Sequence, residues 1–198
     1  IIRYMYHLEH EMYKRVTGVI FSMPGGKDYI QDKKWTDLDI NKFYYINNGV
    51  DLKEFAQQVK ENIIEDSDLT DDTFKVVYTG SIRTANNLIS IIKAAELIDN
   101  PNIKFLLYGD GDDKERLIDY CKEHNIKNVI FKGQVEKKYI PYILSKCNLS
   151  ILNYKKAKTL KYGGSQNKLF EYLASGCPVL LTVDMNYNIV KENSCGVS

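Results

Sequence analysis

The sequence predicts an α/β fold, a parallel sheet flanked by helices, on three observations. From Phe74 onward, short runs rich in β-formers alternate with amphipathic stretches, the pattern of strands joined by helical crossovers. Leu88, Ile91, Ile92, Ala95 and Ile98 recur at helical spacing, so the first of these stretches turns one face to a core. The chain of 198 residues is 44% hydrophobic and 27% charged, enough apolar mass for one core and part of a second, which excludes disordered, collagen-like and disulfide-scaffold classes.

The expected strands are 74–79 (FKVVYT), 103–108 (IKFLLY), 128–132 (NVIFK), 149–153 (LSILN) and 178–183 (PVLLTV). The helices between them are expected near 84–99, 112–124, 136–147, 166–175 and 187–194, with Pro141 marking a first turn or a break in the third. Upstream lie an amphipathic helix to about Arg15, a strand in VTGVIFSM, a Pro-Gly-Gly turn with a short helix, and a strand FYYI closed by the turn NNGVD. One or two strands cannot make a sheet of their own, so this part is expected to dock or to be the end of something larger. The organisation that follows is 1–50 as the end of a preceding domain, 51–73 as a linker, and 74–198 as a sheet domain lacking its last strand and helices, cut at both ends.

A net charge of +1 hides an asymmetry. Glu61, Glu65, Asp66, Asp68, Asp71 and Asp72 crowd residues 61–72 without a basic residue, which reads as a solvated linker. Residues 122–168 carry eleven lysines against Glu123 and Glu136, a local charge of +9 spread over several elements. No stretch is long and apolar enough to span a membrane and no charged segment leads into an apolar run as in a signal peptide, so the expected location is cytoplasmic. Cys121, Cys147, Cys177 and Cys195 form no C-x-x-C pair and read as buried thiols. His7 and His10 lack the order of a zinc motif and read as a helix face; no metal is expected.

In open parallel sheets, ligands bind beyond the carboxyl ends of the strands. Three loops there carry the chemistry. In Thr79-Gly80-Ser81-Ile82-Arg83-Thr84, Gly80 admits close backbone approach and Arg83 can fork onto phosphate oxygens, or the segment is a plain turn with a solvated arginine. In Gly109-Asp110-Gly111-Asp112-Asp113 the third glycine of a dinucleotide fingerprint is missing, and Asp112 and Asp113 suit a helix N-terminus. In 153–178, NYKKAKTLKYGGSQNKLFEYLASGCP, a Gly163-Gly164 hinge precedes Ser165, expected to cap a helix whose first turn is Gln166-Asn167-Lys168. Leu169, Phe170, Tyr172 and Leu173 form its apolar face; Lys168, Glu171 and Ser175 form a polar stripe suited to a diphosphate and, one turn deeper, to sugar hydroxyls, or else carrying an ordinary Lys168–Glu171 surface pair.

With NNGVD, TGSIRTANNL, LLYGDGDDKERL and VIFKGQVEKKYIPYIL around it, the pattern S-x-N-K-L-F-E-Y-L-A-S-G-x-P-V resembles the carboxyl-terminal half of a family 4 glycosyltransferase of the GT-B fold, most of all the bacterial enzymes of capsular polysaccharide and lipopolysaccharide synthesis. The resemblance covers nearly the whole chain. It implies that 1–50 ends an acceptor-binding domain and that 74–198 is most of a Rossmann-like donor-binding domain. It implies that Glu171, as the second glutamate of an E-x7-E motif, holds ribose hydroxyls; that Gly80, Ser81 and Arg83 form a phosphate loop; that Ser165, Asn167 and Lys168 face the diphosphate and sugar, with Gly163 and Gly164 beside them; that Gln134 and Val135 read the nucleobase; and that Gly109 and Gly111 line the cleft. Two positions depart from the pattern: Gly163 stands where the first glutamate would, and Asn86 or Asn87 replaces a frequent lysine.

The expected reaction is transfer of a sugar, with retention, from a UDP- or GDP-linked donor to a glycan or lipid-linked acceptor, with Arg83, Lys168 and Glu171 as the catalytic set. No cofactor, metal or nucleic acid is called for; peripheral membrane contact would come through the absent domain, and this piece alone should transfer nothing. The alternatives are a non-catalytic sugar-nucleotide-binding module and a UDP-sugar epimerase of the same fold.

Overall fold

The computed structural model describes all 198 residues. The chain forms two compact units: residues 1–48, 157–166 and 185–188 make the first, and residues 49–156, 167–184 and 189–198 the second.

In the first unit, α1 (Ile2–Arg15), β1 (Val19–Phe21), α2 (Gly26–Asp32) and β2 (Phe43–Tyr45) follow one another, and β1 pairs with β2 in parallel. This two-stranded sheet corrects the expectation that the segment has none. Aromatic packing makes so small a sheet tenable: the Tyr13 ring meets Phe43 edge-on at 5.5 Å and Phe21 stacks on Phe43 at 5.8 Å. The Tyr13 and Tyr29 hydroxyls both donate to the Glu9 carboxylate, at 2.9 and 2.7 Å. A 3-10 turn at Lys158–Tyr162 closes on α2, where the Tyr162 carbonyl accepts the Gly25 N–H at 2.9 Å and its hydroxyl donates to Asp32.

The second unit runs α3 (Leu52–Glu61), α4 (Ser67–Thr70), β3 (Phe74–Thr79), α5 (Leu88–Glu96), β4 (Ile103–Tyr108), α6 (Lys114–Glu123), β5 (Val129–Gly133), α7 (Ile140–Ser145), β6 (Leu149–Leu152), α8 (Asn167–Ala174), β7 (Val179–Leu181), α9 (Ile189–Glu192) and β8 (Gly196–Val197). Its six strands are all parallel, in the order β5-β4-β3-β6-β7-β8. The order reverses between β3 and β6, and that reversal opens a crevice at their carboxyl ends. Central β3 is buried from Lys75 to Thr79, as a strand covered on both faces must be. Tyr78, Ile82, Leu88, Ile92, Phe105, Leu107 and Leu117 lie within one core.

Three differences from the sequence reading have local physical causes. The helix expected from residue 84 starts as a 3-10 turn, Thr84–Asn86, and α5 begins only at Leu88, after Asn87 in the left-handed region (φ 52°). The amide of buried Asn153 donates to the carbonyls of Asn86 and Asn87, at 2.8 and 2.7 Å, in place of a helical ladder. The helix around Pro141 starts at Ile140, behind a 3-10 turn at Lys137–Tyr139, with proline in its first turn.

The third difference is larger. Residues 51–73, expected as a solvated linker, hold α3 and α4. Asp51 caps α3 by accepting the N–H groups of Lys53 and Glu54, at 2.8 and 3.1 Å, and Phe55 and Leu69 are buried. Three residues of the acidic run are paired: Lys132 reaches Asp66 and Asp68 at 2.7 and 2.9 Å, Lys104 reaches Asp68 at 2.7 Å, and Asp71 is bridged by Lys104 and Lys75. Each ammonium offsets the desolvation of the carboxylates it meets, so charge that looked solvated serves to pack α4.

Candidate functional site

The crevice between β3 and β6 is built first from backbone. The loops after β3, β4 and β5 are stitched together: Gly80 N–H donates to the Tyr108 carbonyl at 2.9 Å, Gly109 N–H to Gly133 at 2.7 Å, Ile82 N–H to Asp110 at 2.8 Å and Asp113 N–H to Ile82 at 3.1 Å. This contact explains Gly109: a Cβ there would lie 1.8 Å from the Gly80 carbonyl oxygen, and its φ of 142° disfavours any side chain. Ile82, wholly buried, anchors the loop that carries Ser81 and Arg83.

Side chains complete the frame. Asn153, at the end of β6 and 2% exposed, bonds Asn86, Asn87 and Ser90 and accepts from the Thr182 hydroxyl, tying the loops after β3, β6 and β7 together. The Tyr172 hydroxyl, from α8, accepts the Thr79 N–H at 3.0 Å and holds α8 to the end of β3. Lys168, one residue into α8, donates to the Tyr78 hydroxyl at 2.9 Å, and Tyr78 donates onward to the Ser81 carbonyl at 2.7 Å.

Lys168 lies so close to the first loop that a Cβ on Gly80 would stand 2.6 Å from its Nζ. It hydrogen-bonds no carboxylate. Burial is the main influence on its ammonium and pulls it down from the ordinary lysine value to about 8, with Glu171 opposing. Glu171, its carboxylate 19% exposed, is pushed up by burial and meets Lys137 at 3.8 Å. The Lys168–Glu171 surface pair, weighed from spacing alone, is therefore not what the helix makes.

The residues read from the sequence fall in two groups. Gly80, Ser81, Arg83, Gly109, Gly111, Gln134, Val135, Asn167, Lys168 and Glu171 belong to the second unit. Ser81, Arg83 and Gln134 are exposed, and the Arg83 guanidinium has no protein partner. Gly163, Gly164 and Ser165 belong to the first unit. There the Ser165 hydroxyl donates to the Asn47 side chain at 2.5 Å and accepts the Asn48 N–H at 3.3 Å. The expected cap by Ser165 is thus corrected: its hydroxyl is spent on the NNG turn, and α8 begins at Asn167. Asp113 does stand at the N-cap of α6, but its side chain accepts no capping N–H; the buried carboxylate pairs with Arg116 at 2.7 and 2.9 Å.

Sequence reasoning missed Tyr78, Asn153 and Tyr172 as organisers of this crevice. Tyr172 read as part of an apolar helix face and Tyr78 only as a strand residue, and only their need for buried hydroxyl partners could have marked them.

A family model described as glycosyl transferases, group 1, matches residues 59–198. The chain belongs to this family. No curated protein matches it. Among solved structures, TarM is similar with a TM-score of 0.72 and 19% identity, over 98% of this chain and 35% of TarM. WaaG, a glycosyltransferase involved in lipopolysaccharide biosynthesis, gives a TM-score of 0.70 and 14% identity, over 98% of this chain and 53% of WaaG. Anabaena Alr3699/HepE, in complex with UDP and glucose, gives 0.66 and 15%, over 87% of this chain and 46% of that protein. At these identities the likeness is one of fold, the GT-B fold. The group 1 chain spans between 35% and 53% of the length of these three structures. None of its helices is long and apolar enough to cross a membrane.

Proposed function

We propose that this chain is the donor-binding half of a nucleotide-sugar-dependent glycosyltransferase, moving a sugar with retention from a UDP- or GDP-linked donor to a glycan or lipid-linked acceptor of surface polysaccharide synthesis, in the cytoplasm. The observation that carries the reading is Lys168: an ammonium without a carboxylate bond, brought from α8 over Gly80 at the strand-order reversal, in the same unit as the free guanidinium of Arg83. An unpaired cation beside a glycine-lined loop suits an anion.

In such a transfer the anomeric bond breaks through an oxocarbenium-like state while a nucleoside diphosphate leaves with growing negative charge. Lys168 and Arg83 meet that charge with donors already in place. Glu171, half-buried three residues along α8, accepts hydrogen bonds from ribose hydroxyls, and the loop after β5 at Gln134 and Val135 meets the base. No step in this account uses a metal.

Calorimetry of the chain with UDP and with GDP tests it. Binding by one of them, unchanged by a chelator and weakened at least tenfold by Arg83→Ala and by Glu171→Ala, is the expected result. Absence of heat with both nucleotides, or unaltered affinity in both variants, rejects the assignment.

A further inference from the structure

Lys168 does not reach Gly80 unaided. Its Nζ lies 4.2 Å from the centre of the Tyr78 ring and 5.6 Å from that of Tyr154, in addition to the 2.9 Å bond to the Tyr78 hydroxyl. Tyr78 comes from β3, and Tyr154 follows β6, so each of the two strands flanking the reversal contributes one ring. Tyr78 is wholly buried and its hydroxyl is fixed at both ends, accepting from Lys168 and donating to the Ser81 carbonyl. Aromatic faces and a phenol oxygen attract an ammonium without neutralising it.

We propose that Tyr78 and Tyr154 are positioning residues that seat the Lys168 ammonium at the Gly80 loop, and that this seat makes nucleoside diphosphate binding depend on pH. The proposal rests on the reading of the crevice as a donor site. The groups facing Lys168 support it. Tyr78 and Tyr154 are themselves pushed up by burial, Tyr154 to about 12, so both stay neutral phenols across the working range. Glu171, on the same helix, is the one carboxylate that acts on the ammonium, and Lys137 already draws on it.

A seat of neutral rings leaves the ammonium largely desolvated, and its proton is held to about pH 8. Bound phosphate favours the charged form. Above about pH 8 a nucleotide must therefore restore the proton on binding, and its affinity falls by up to about tenfold per pH unit.

The test is UDP affinity of the chain between pH 6.5 and 9.5, with GDP as a second probe. The expected result is a plateau at low pH, a fall above about pH 8, and a flat profile in Lys168→Arg, whose charge does not titrate there. Tyr78→Phe keeps the ring and removes the hydroxyl; it should weaken binding about tenfold at pH 7 and move the midpoint of the fall to lower pH, because the ammonium loses an acceptor. Tyr154→Leu should weaken binding about threefold. A merely structural role for Tyr78 would lower affinity without moving the midpoint. A flat wild-type profile, or a Tyr78→Phe profile superimposable on the wild type, overturns the seat even if binding still requires Lys168. If Tyr78→Phe fails to fold, the wild-type profile and Tyr154→Leu still decide. No binding of either probe, or binding indifferent to Lys168→Met, overturns the donor site itself.

Discussion

Lys132 and Lys168 both come from the lysine-rich stretch, and both are largely removed from water, yet they sit in opposite electrostatic settings. Burial pulls the Lys132 ammonium down, but Asp66 and Asp68 at 2.7 and 2.9 Å outweigh it, so its proton is held above the ordinary lysine range. Lys168 has a phenol and two ring faces instead, and burial wins. A buried cation that finds carboxylates stabilises the fold it sits in. One left with neutral partners costs stability and keeps its charge for a ligand.

The sharpest way to break the contrast is to remove each charge. Lys132→Met leaves Asp66 and Asp68 partly buried without their shared ammonium, an expected loss of about 3 kcal/mol, read as a lower urea midpoint. Lys168→Met should raise the urea midpoint, because a desolvated charge that costs stability is exchanged for an apolar chain of similar length, while UDP affinity drops more than tenfold. Equal destabilisation by the two substitutions would show that both lysines are structural.

Alkaline pH sharpens the comparison. The folded-state pKa of Lys168 lies below its unfolded value, so the unfolded chain binds more protons between about pH 8 and 10.5 and this group's contribution to stability rises across that window. Lys104 and Lys132 are raised instead, so their contributions are complete below the ordinary lysine value and are lost as pH climbs through the higher folded one. The urea midpoint of the wild type should therefore gain on that of Lys168→Met between pH 8 and 10.5. Nucleotide affinity should move the other way over the same range.

The smallest effect is expected in acid. Bonds from Lys104 and then Lys132 hold Asp68 below the usual carboxylate range, and Lys104 followed by Thr73 does the same for Asp71. Their contribution is complete above the unfolded value near pH 4 and is lost as pH falls through the lowered folded values. Asp71→Asn should flatten part of that decline in the urea midpoint, and no change in slope would remove the acidic run from the account of acid stability.

Much of the fold was legible. The strands FKVVYT and IKFLLY were bounded correctly because their β-rich runs end at glycine on one side and at polar residues on the other. The helix around LFEYLA was legible from its apolar face and from Gly176 beyond it. The first turn of α5 was not, since its carbonyls are claimed by Asn153, 66 and 67 residues away in sequence. Nor was the packing of 51–73, because Asp66 and Asp68, which read as solvated, meet their lysines across 36 to 66 residues. The Ser165 cap was a sound local expectation that lost to a contact with Asn47, 118 residues earlier.

The sequence by itself determined the order of strands and helices, the glycines where loops cross, and the motif that marks the family, because periodicity, backbone freedom and turn chemistry are local properties. Only the tertiary structure decided which lysine is neutralised and which is left charged among neutral partners. That outcome depends on what each ammonium finds once water is removed. Asp66 and Asp68 wait for Lys132, and the Tyr78 hydroxyl, 90 residues from Lys168 along the chain, waits for the other.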